Sequence, residues 1–191
     1  AGHRGEDTAL ASYMSQVLEG LGVVSDVTLV SFGETEGRSR CKASAYSIRS
    51  EEGRIDVFLG HFAETLEATL PVSDLRKMTG QAARFVKYSM DADFDRFSHD
   101  QEALDASRLI HAAKATSDRV RVFILTNALS KEKAVAELDF DGITVSFEVY
   151  DIERLFRLSQ TATSRSDIEI DMERYFGRPL SCLEMSPRPE E

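Results

Sequence analysis

The chain has 191 residues, with 23 Lys plus Arg against 33 Asp plus Glu, so its formal net charge is −10. That length suits one domain with a real core and is short for two. A hydrophobic share of 42% and a charged share of 29% describe a soluble globular chain and exclude a disordered or fibrous one. The acidic balance argues against non-specific coating of nucleic acid but leaves room for a local basic patch.

The first predicted helix runs from about Glu6 to Gly20, with Leu10, Tyr13, Met14, Val17, Leu18 and Leu21 on one stripe. Gly20 and Gly22 supply its stop. Val27 to Phe32 is strand-like by its β-branched content, and a polar loop, Gly33 to Arg38, follows. Cys41 to Arg49 and Arg54 to Phe62 read as two strands of a hairpin. Ser50-Glu51-Glu52-Gly53 has the chemistry of the turn between them. After Pro71, Ser73 is the expected cap of a second helix carrying Leu75, Met78, Ala82, Phe85 and Val86 on one face.

Met90 to Ser98 is an acidic break. Ser98-His99-Asp100-Gln101 has capping-box spacing for a third helix ending near Ala115. Arg119 to Asn127 is the clearest buried strand. A helical segment is expected over Ser130 to Glu137, and Asp141-Gly142 turns into a strand over Ile143 to Val149. Asp151 opens a last helix with Ile152, Leu155, Phe156 and Leu158. The tail holds a short extended piece, Ile168-Glu169-Ile170, and the fold is expected to end at Leu183. The order predicts an α/β domain with a mixed central sheet flanked by helices. A helix, a three-stranded meander and a further helix are the layout of restriction-endonuclease-like nucleases, a likeness of fold alone.

No run approaches the roughly 18 apolar residues of a membrane span, and no secretory leader is visible. Cys41 and Cys182 form neither a zinc spacing nor a disulfide framework, so a reducing, cytoplasmic setting is expected. The start Ala-Gly-His and the end Ser186-Pro187-Arg188-Pro189-Glu190-Glu191 both read as cuts. The expected layout is a tail over 1–5, one domain over 6–183, and a tail or linker over 184–191 leading to a C-terminal region.

Three stretches resemble the N-terminal domain of the abortive infection phage resistance (AIPR) proteins of bacteria. They are the strand Arg54-Ile55-Asp56-Val57-Phe58-Leu59-Gly60-His61-Phe62, the strand from Arg121 to Asn127, and the run from Phe147 to Leu158. Ile168 to Asp171 and Pro179 to Leu183 fit as well. The resemblance implies a role in anti-phage defence, a nuclease-like N-terminal domain and a larger C-terminal region beyond this chain.

Nuclease chemistry on such a fold needs carboxylates to hold Mg²⁺ and a Lys beside the attacking water. Glu6, on the inward stripe of the first helix, and Asp56, inside an apolar strand, are the candidate catalytic and metal-binding residues. A carboxylate within an apolar strand is costly unless it is paired, metal-bound or exposed. Glu6 and Asp7 also suit a helix N-terminus through the macrodipole. The residue two after Asp56 is Phe58, so the usual Asp-x-Lys is missing. A symmetric hairpin pairs Ser47 with Asp56 and Lys42 with His61, which sets Lys42 on the face opposite Asp56 unless a bulge intervenes. Asp56 then pairs with Arg54 or Arg49 in the structural reading.

Asp91-x-Asp93-x-Asp95 imitates a calcium loop, but Arg96 stands where Gly is required, so it reads as a solvated acidic linker. From Arg38 to Arg54 five basic residues meet two acids. Arg38, Arg40 and Lys42 are the candidate phosphate contacts there, with a solvated hairpin edge as the alternative. Two functions therefore stand: a degenerate nuclease fold acting in binding or assembly, homo-oligomers included, and an active Mg²⁺-dependent nuclease cleaving DNA or RNA.

Overall fold

The computed structural model describes residues 4–34, 40–65, 68–132 and 134–165. In chain order the elements are α1 (Arg4–Gly20), β1 (Thr28–Gly33), β2 (Lys42–Arg49), β3 (Arg54–His61), α2 (Val72–Met90) and α3 (Gln101–Ala113). They continue with β4 (Arg119–Thr126), β5 (Ala134–Phe140), β6 (Ile143–Asp151) and α4 (Ile152–Arg165).

The strands form one six-stranded mixed sheet in the order β1-β2-β3-β4-β6-β5. β1, β2 and β3 make an antiparallel meander, β3 runs parallel to β4 and β4 parallel to β6, and β5 closes the far edge antiparallel to β6. A parallel step needs a crossover, and α2 with α3 supplies it between β3 and β4. The central strands β3 and β4 are covered on both faces, so they read as near-continuous apolar runs.

The two faces have separate cores. On one, Leu75, Met78, Phe85 and Val86 of α2 and Ile110 of α3 pack against Ile55, Val57, Val122 and Ile124. On the other, Ala11, Met14 and Leu18 of α1 and Leu155 of α4 cover Phe58, Phe123 and Leu125. The rings of Phe58 and Phe123 stack at 4.9 Å across adjacent parallel strands. Each fully buried side chain of this size contributes about 1.5–3 kcal/mol.

Several local expectations need correction. Ser130 to Glu137 is not a helix: Ala134–Phe140 is a strand that pairs with β6 through the Asp141-Gly142 turn. Its apolar residues Val135, Leu138 and Phe140 do not keep one period, because the ladder shifts register between Val135 and Leu138. α2 starts at Val72 behind Pro71 rather than at a Ser73 cap. α3 is capped by Asp100, whose carboxylate accepts the Ala103 N–H at 3.1 Å, while Ser98 belongs to the preceding turn. Of the acidic break, Asp91 pairs with Lys87 and Asp93 with Arg96. The tail pieces Ile168–Ile170 and Pro179–Leu183 lie outside the described residues. No helix among the described residues is long and apolar enough to cross a membrane.

Candidate functional site

β3 carries polar chemistry at both of its ends, on the face covered by α1. At its C-terminal end the α1 backbone comes so close that a Cβ on Gly60 would lie 2.0 Å from the Asp7 carbonyl oxygen. Only glycine permits that approach. It brings Asp7 in the first turn of α1 over the strand end. One Asp7 oxygen accepts the Phe62 N–H at 2.7 Å, and the other takes the Lys42 ammonium at 2.6 Å. Lys42 Nζ also donates to the Gly60 carbonyl at 3.1 Å.

Lys42 reaches α1 because β2 changes face along its length. Ala43 packs in the core under α2, whereas Ala45 packs in the core under α1. Ser44 sits at the irregularity and its hydroxyl accepts the Gly60 N–H at 3.0 Å. The regular pairing of β2 with β3 runs from Ala45 opposite Phe58 to Arg49 opposite Arg54. Ser47 opposes Asp56 as the symmetric hairpin requires, but Lys42 does not oppose His61 in that ladder, and its placement away from the Asp56 face is corrected. His61, at the last position of β3, is held below its ordinary pKa chiefly by burial; Asp7 opposes this and Lys42 adds to it.

At the N-terminal end Asp56 is fully buried. Its cross-strand partner is Arg121, directly beside it in the parallel β3–β4 register. Arg121 Nε donates to Oδ1 at 2.8 Å and Nη2 to Oδ2 at 2.7 Å, a two-point pair. Nη2 also donates to the Val23 carbonyl at 3.1 Å, and the guanidinium lies over the Phe123 ring. Arg54 stands second, 3.4 Å from Asp56, and bonds Glu52 more closely; among the described residues Arg49 pairs with Glu52 and not with Asp56. Neither of the two partners expected from the hairpin is thus the main one.

A third buried carboxylate lies at the C-terminal end of β6. Asp151 caps α4 by accepting the Arg154 N–H at 2.7 Å, and it accepts the Ser130 N–H at 2.9 Å. Arg154 reaches back to the Val149 carbonyl and to Glu148 and stacks on Tyr150.

Glu6 and Asp56 are not brought together. Glu6 is exposed in the first α1 turn, beside Asp7, which binds Phe62. Asp56 lies six residues before Phe62, roughly 20 Å along an extended strand. A Mg²⁺ ion held by both does not fit this arrangement, since its oxygen ligands sit at about 2.1 Å. Both Asp56 oxygens already accept from Arg121. Among the described residues no group of three or more His, Cys, Asp or Glu is placed to share a metal ion. Of the expected phosphate contacts, Lys42 is turned to Asp7, Arg40 lies just before β2 with its carbonyl bonded by Arg84 Nε at 2.7 Å, and Arg38 is outside the described residues.

Sequence reasoning missed Arg121 as the partner of Asp56 and the Ser130 contact of Asp151, though it had Asp151 opening α4, and it gave Asp7 only a helix-end role. The signal for Arg121 was an Arg inside an apolar strand, which needs a buried acid for the same reason that Asp56 needs a base.

Comparison with curated proteins and with solved structures found no match. The family model described as the abortive infection phage resistance protein N-terminal domain matches residues 10–157. That span runs from α1 into α4 and includes every strand of the sheet, Asp56, Arg121 and Asp151, so the chain belongs to the family of abortive infection phage resistance protein N-terminal domains.

Proposed function

We propose that this is a nuclease-like N-terminal domain of an anti-phage defence protein that is catalytically degenerate and acts by binding rather than by cleavage. The order α1-β1-β2-β3-α2 with β4 parallel to β3 supports the restriction-endonuclease-like reading of the scaffold. The observation that carries the degenerate reading is Asp56. The one carboxylate on the meander's last strand that faces α1 is fully buried and spends both oxygens on the Arg121 fork. A guanidinium fills the place where an active site needs a hydrated cation, and Phe58 stands where the activating Lys belongs.

The test is a cleavage assay with single- and double-stranded DNA and with RNA, in Mg²⁺ and in Mn²⁺, comparing wild type with Asp56→Asn. Neither protein is expected to cleave above a no-protein control. Metal-dependent cleavage by the wild type overturns the reading: loss in Asp56→Asn at retained fold places catalysis at Asp56, and survival in that variant places it elsewhere.

A further inference from the structure

Most described Lys and Arg side chains are paired with carboxylates. Lys42, Arg49, Arg54, Lys87, Arg96, Arg108, Lys114, Arg121, Arg154 and Arg157 all make ion pairs. Against that background, Arg40, Arg76, Lys77, Arg84, Arg119 and Lys131 have no carboxylate partner among the described residues, and all of these but Arg119 lie around one element. Arg76, Lys77 and Arg84 belong to α2. Lys77 and Arg84 are seven residues apart, hence two turns and roughly 10.5 Å along one helix face. Arg84 lies back over Gly80, where a Cβ would meet its Nη1 at 3.5 Å, so its charge sits one turn nearer Lys77. Its Nε donates to the Arg40 carbonyl at 2.7 Å and so holds the Arg40 backbone beside the same face. Lys131 lines a small hollow with Pro71, Val72 and Leu75 at the N-terminal turn of α2. The acids nearby are Asp74 beside Lys77, Glu132 beside Lys131, and Glu34 at the Arg40 end, where it is held by Cys41 and lies 3.7 Å from Arg96.

We propose that this α2 face binds the sugar-phosphate backbone of a nucleic acid strand, a reading that rests on the domain acting by binding and gives that binding its partner. In a chain of net charge −10 whose other described cations, Arg119 excepted, are paired internally, these are left uncompensated on and beside one helix. Lys77 and the folded-back Arg84 bring two charges within one to two helix turns, roughly 5–10 Å, a span that lets them contact neighbouring phosphates of one strand. The patch's α2 members include two arginines, Arg76 and Arg84, whose guanidinium groups fit phosphate oxygens bidentately. The positive end of α2 lies at the same edge. The patch is local, so binding is expected to be modest and strongly salt-dependent rather than a broad coating. Lys42, expected from the sequence to belong to this surface, is replaced in it by residues of α2.

The test is fluorescence anisotropy of a labelled DNA or RNA oligonucleotide at several salt concentrations, without divalent metal. Wild type is compared with Arg76→Glu/Lys77→Glu, both exposed positions. Arg119→Glu, an unpaired cation on β4, is the control, and thermal melting checks that each variant is folded. The double reversal is expected to weaken binding at least about tenfold and to lower the salt slope by roughly 0.7–0.9 per lost phosphate contact, with Arg119→Glu near wild type. The proposal is overturned by absent oligonucleotide binding at low salt, by binding that the folded double variant retains, by an equal loss in Arg119→Glu, or by poly-glutamate binding as tight as the oligonucleotide's. Absent binding together with absent cleavage removes this proposal and leaves the catalytically degenerate reading in place, whereas metal-dependent cleavage removes that reading whatever the binding result.

Discussion

Asp56 and Arg121 stand side by side on parallel strands and close a two-point ion pair in which the carboxylate is wholly shielded from water. Such a pair adds little over a well-packed apolar pair, but leaving one member alone is costly. Arg121→Met is therefore expected to lose about 3–5 kcal/mol, read as a lower urea midpoint at constant slope. Arg54→Met should cost much less, since Arg54 stands 3.4 Å from Asp56 and serves chiefly Glu52. The double variant Asp56→Leu/Arg121→Met should recover most of the loss. A double variant as unstable as Arg121→Met alone would show that the pair itself stabilises the fold.

Gly60 and Gly80 make opposite predictions for the same substitution. A Cβ at Gly60 meets the Asp7 backbone at 2.0 and 2.9 Å, and α1 cannot move aside without opening the core under it. Gly60→Ala is expected to cost upwards of about 3 kcal/mol, at or beyond the usual range for overpacking. At Gly80 the nearest atom is the mobile end of Arg84 at 3.5 Å, an ordinary contact within a helix. Gly80→Ala should stabilise by about 0.5–1 kcal/mol through helix propensity. Thermal melting of the two variants checks both signs, and a Gly60→Ala protein as stable as wild type would contradict the close docking of α1.

His61 gives the fold an acid-sensitive contribution. Burial, the leading cause, lowers its folded-state pKa below the unfolded value near 6.5. The unfolded chain then binds more protons across the interval between the two values, so this contribution is complete above pH 6.5 and is lost as pH falls below it. His61→Gln is expected to flatten the fall in stability between pH 7.5 and pH 5. Parallel pH dependences for the two proteins in urea titrations would remove His61 as a cause.

How much of this was legible depended on the range of the interaction. α1, the meander and the strands β4 and β6 lie where local patterns put them, but the buried face of α1 is turned to Asp7, Ala11, Met14 and Leu18, which leaves Tyr13 and Glu6 exposed. β5 was misread because its apolar residues straddle a register shift and keep neither a strand nor a helix period. The face of Lys42 was misplaced for the same reason: an irregularity at Ser44 reverses the alternation beyond it. Asp56 was recognisable as a buried acid that needed a partner, but the hairpin offered only Arg54 and Arg49. Arg121 lies 65 residues away in sequence and becomes its neighbour only through a parallel pairing that no local signal specifies. Asp7 and Glu6 are adjacent and chemically alike; the bare backbone of Gly60 decides that Asp7 is the one turned inward.

Cys41 offers a direct probe of the β1–β2 edge. Its side chain is fully buried, and its thiol donates to Glu34 Oε2 at 3.6 Å. Burial first, and the Glu34 charge second, push the thiol up to about 12. At pH 8 the thiolate is then about 10⁻⁴ of the population, and the thiolate is the species that reacts. In a Cys182→Ser background, aromatic-disulfide labelling of the native protein is expected to be negligible over minutes and stoichiometric in denaturant. Glu34 also accepts the Cys41 N–H at 3.1 Å while its own N–H donates to the Cys41 carbonyl at 3.0 Å, so this carboxylate both closes the edge and suppresses the thiolate. Glu34→Gln should therefore speed native labelling by removing the charge and loosening the edge. Fast labelling of the wild type at pH 8 would show that this edge opens without global unfolding.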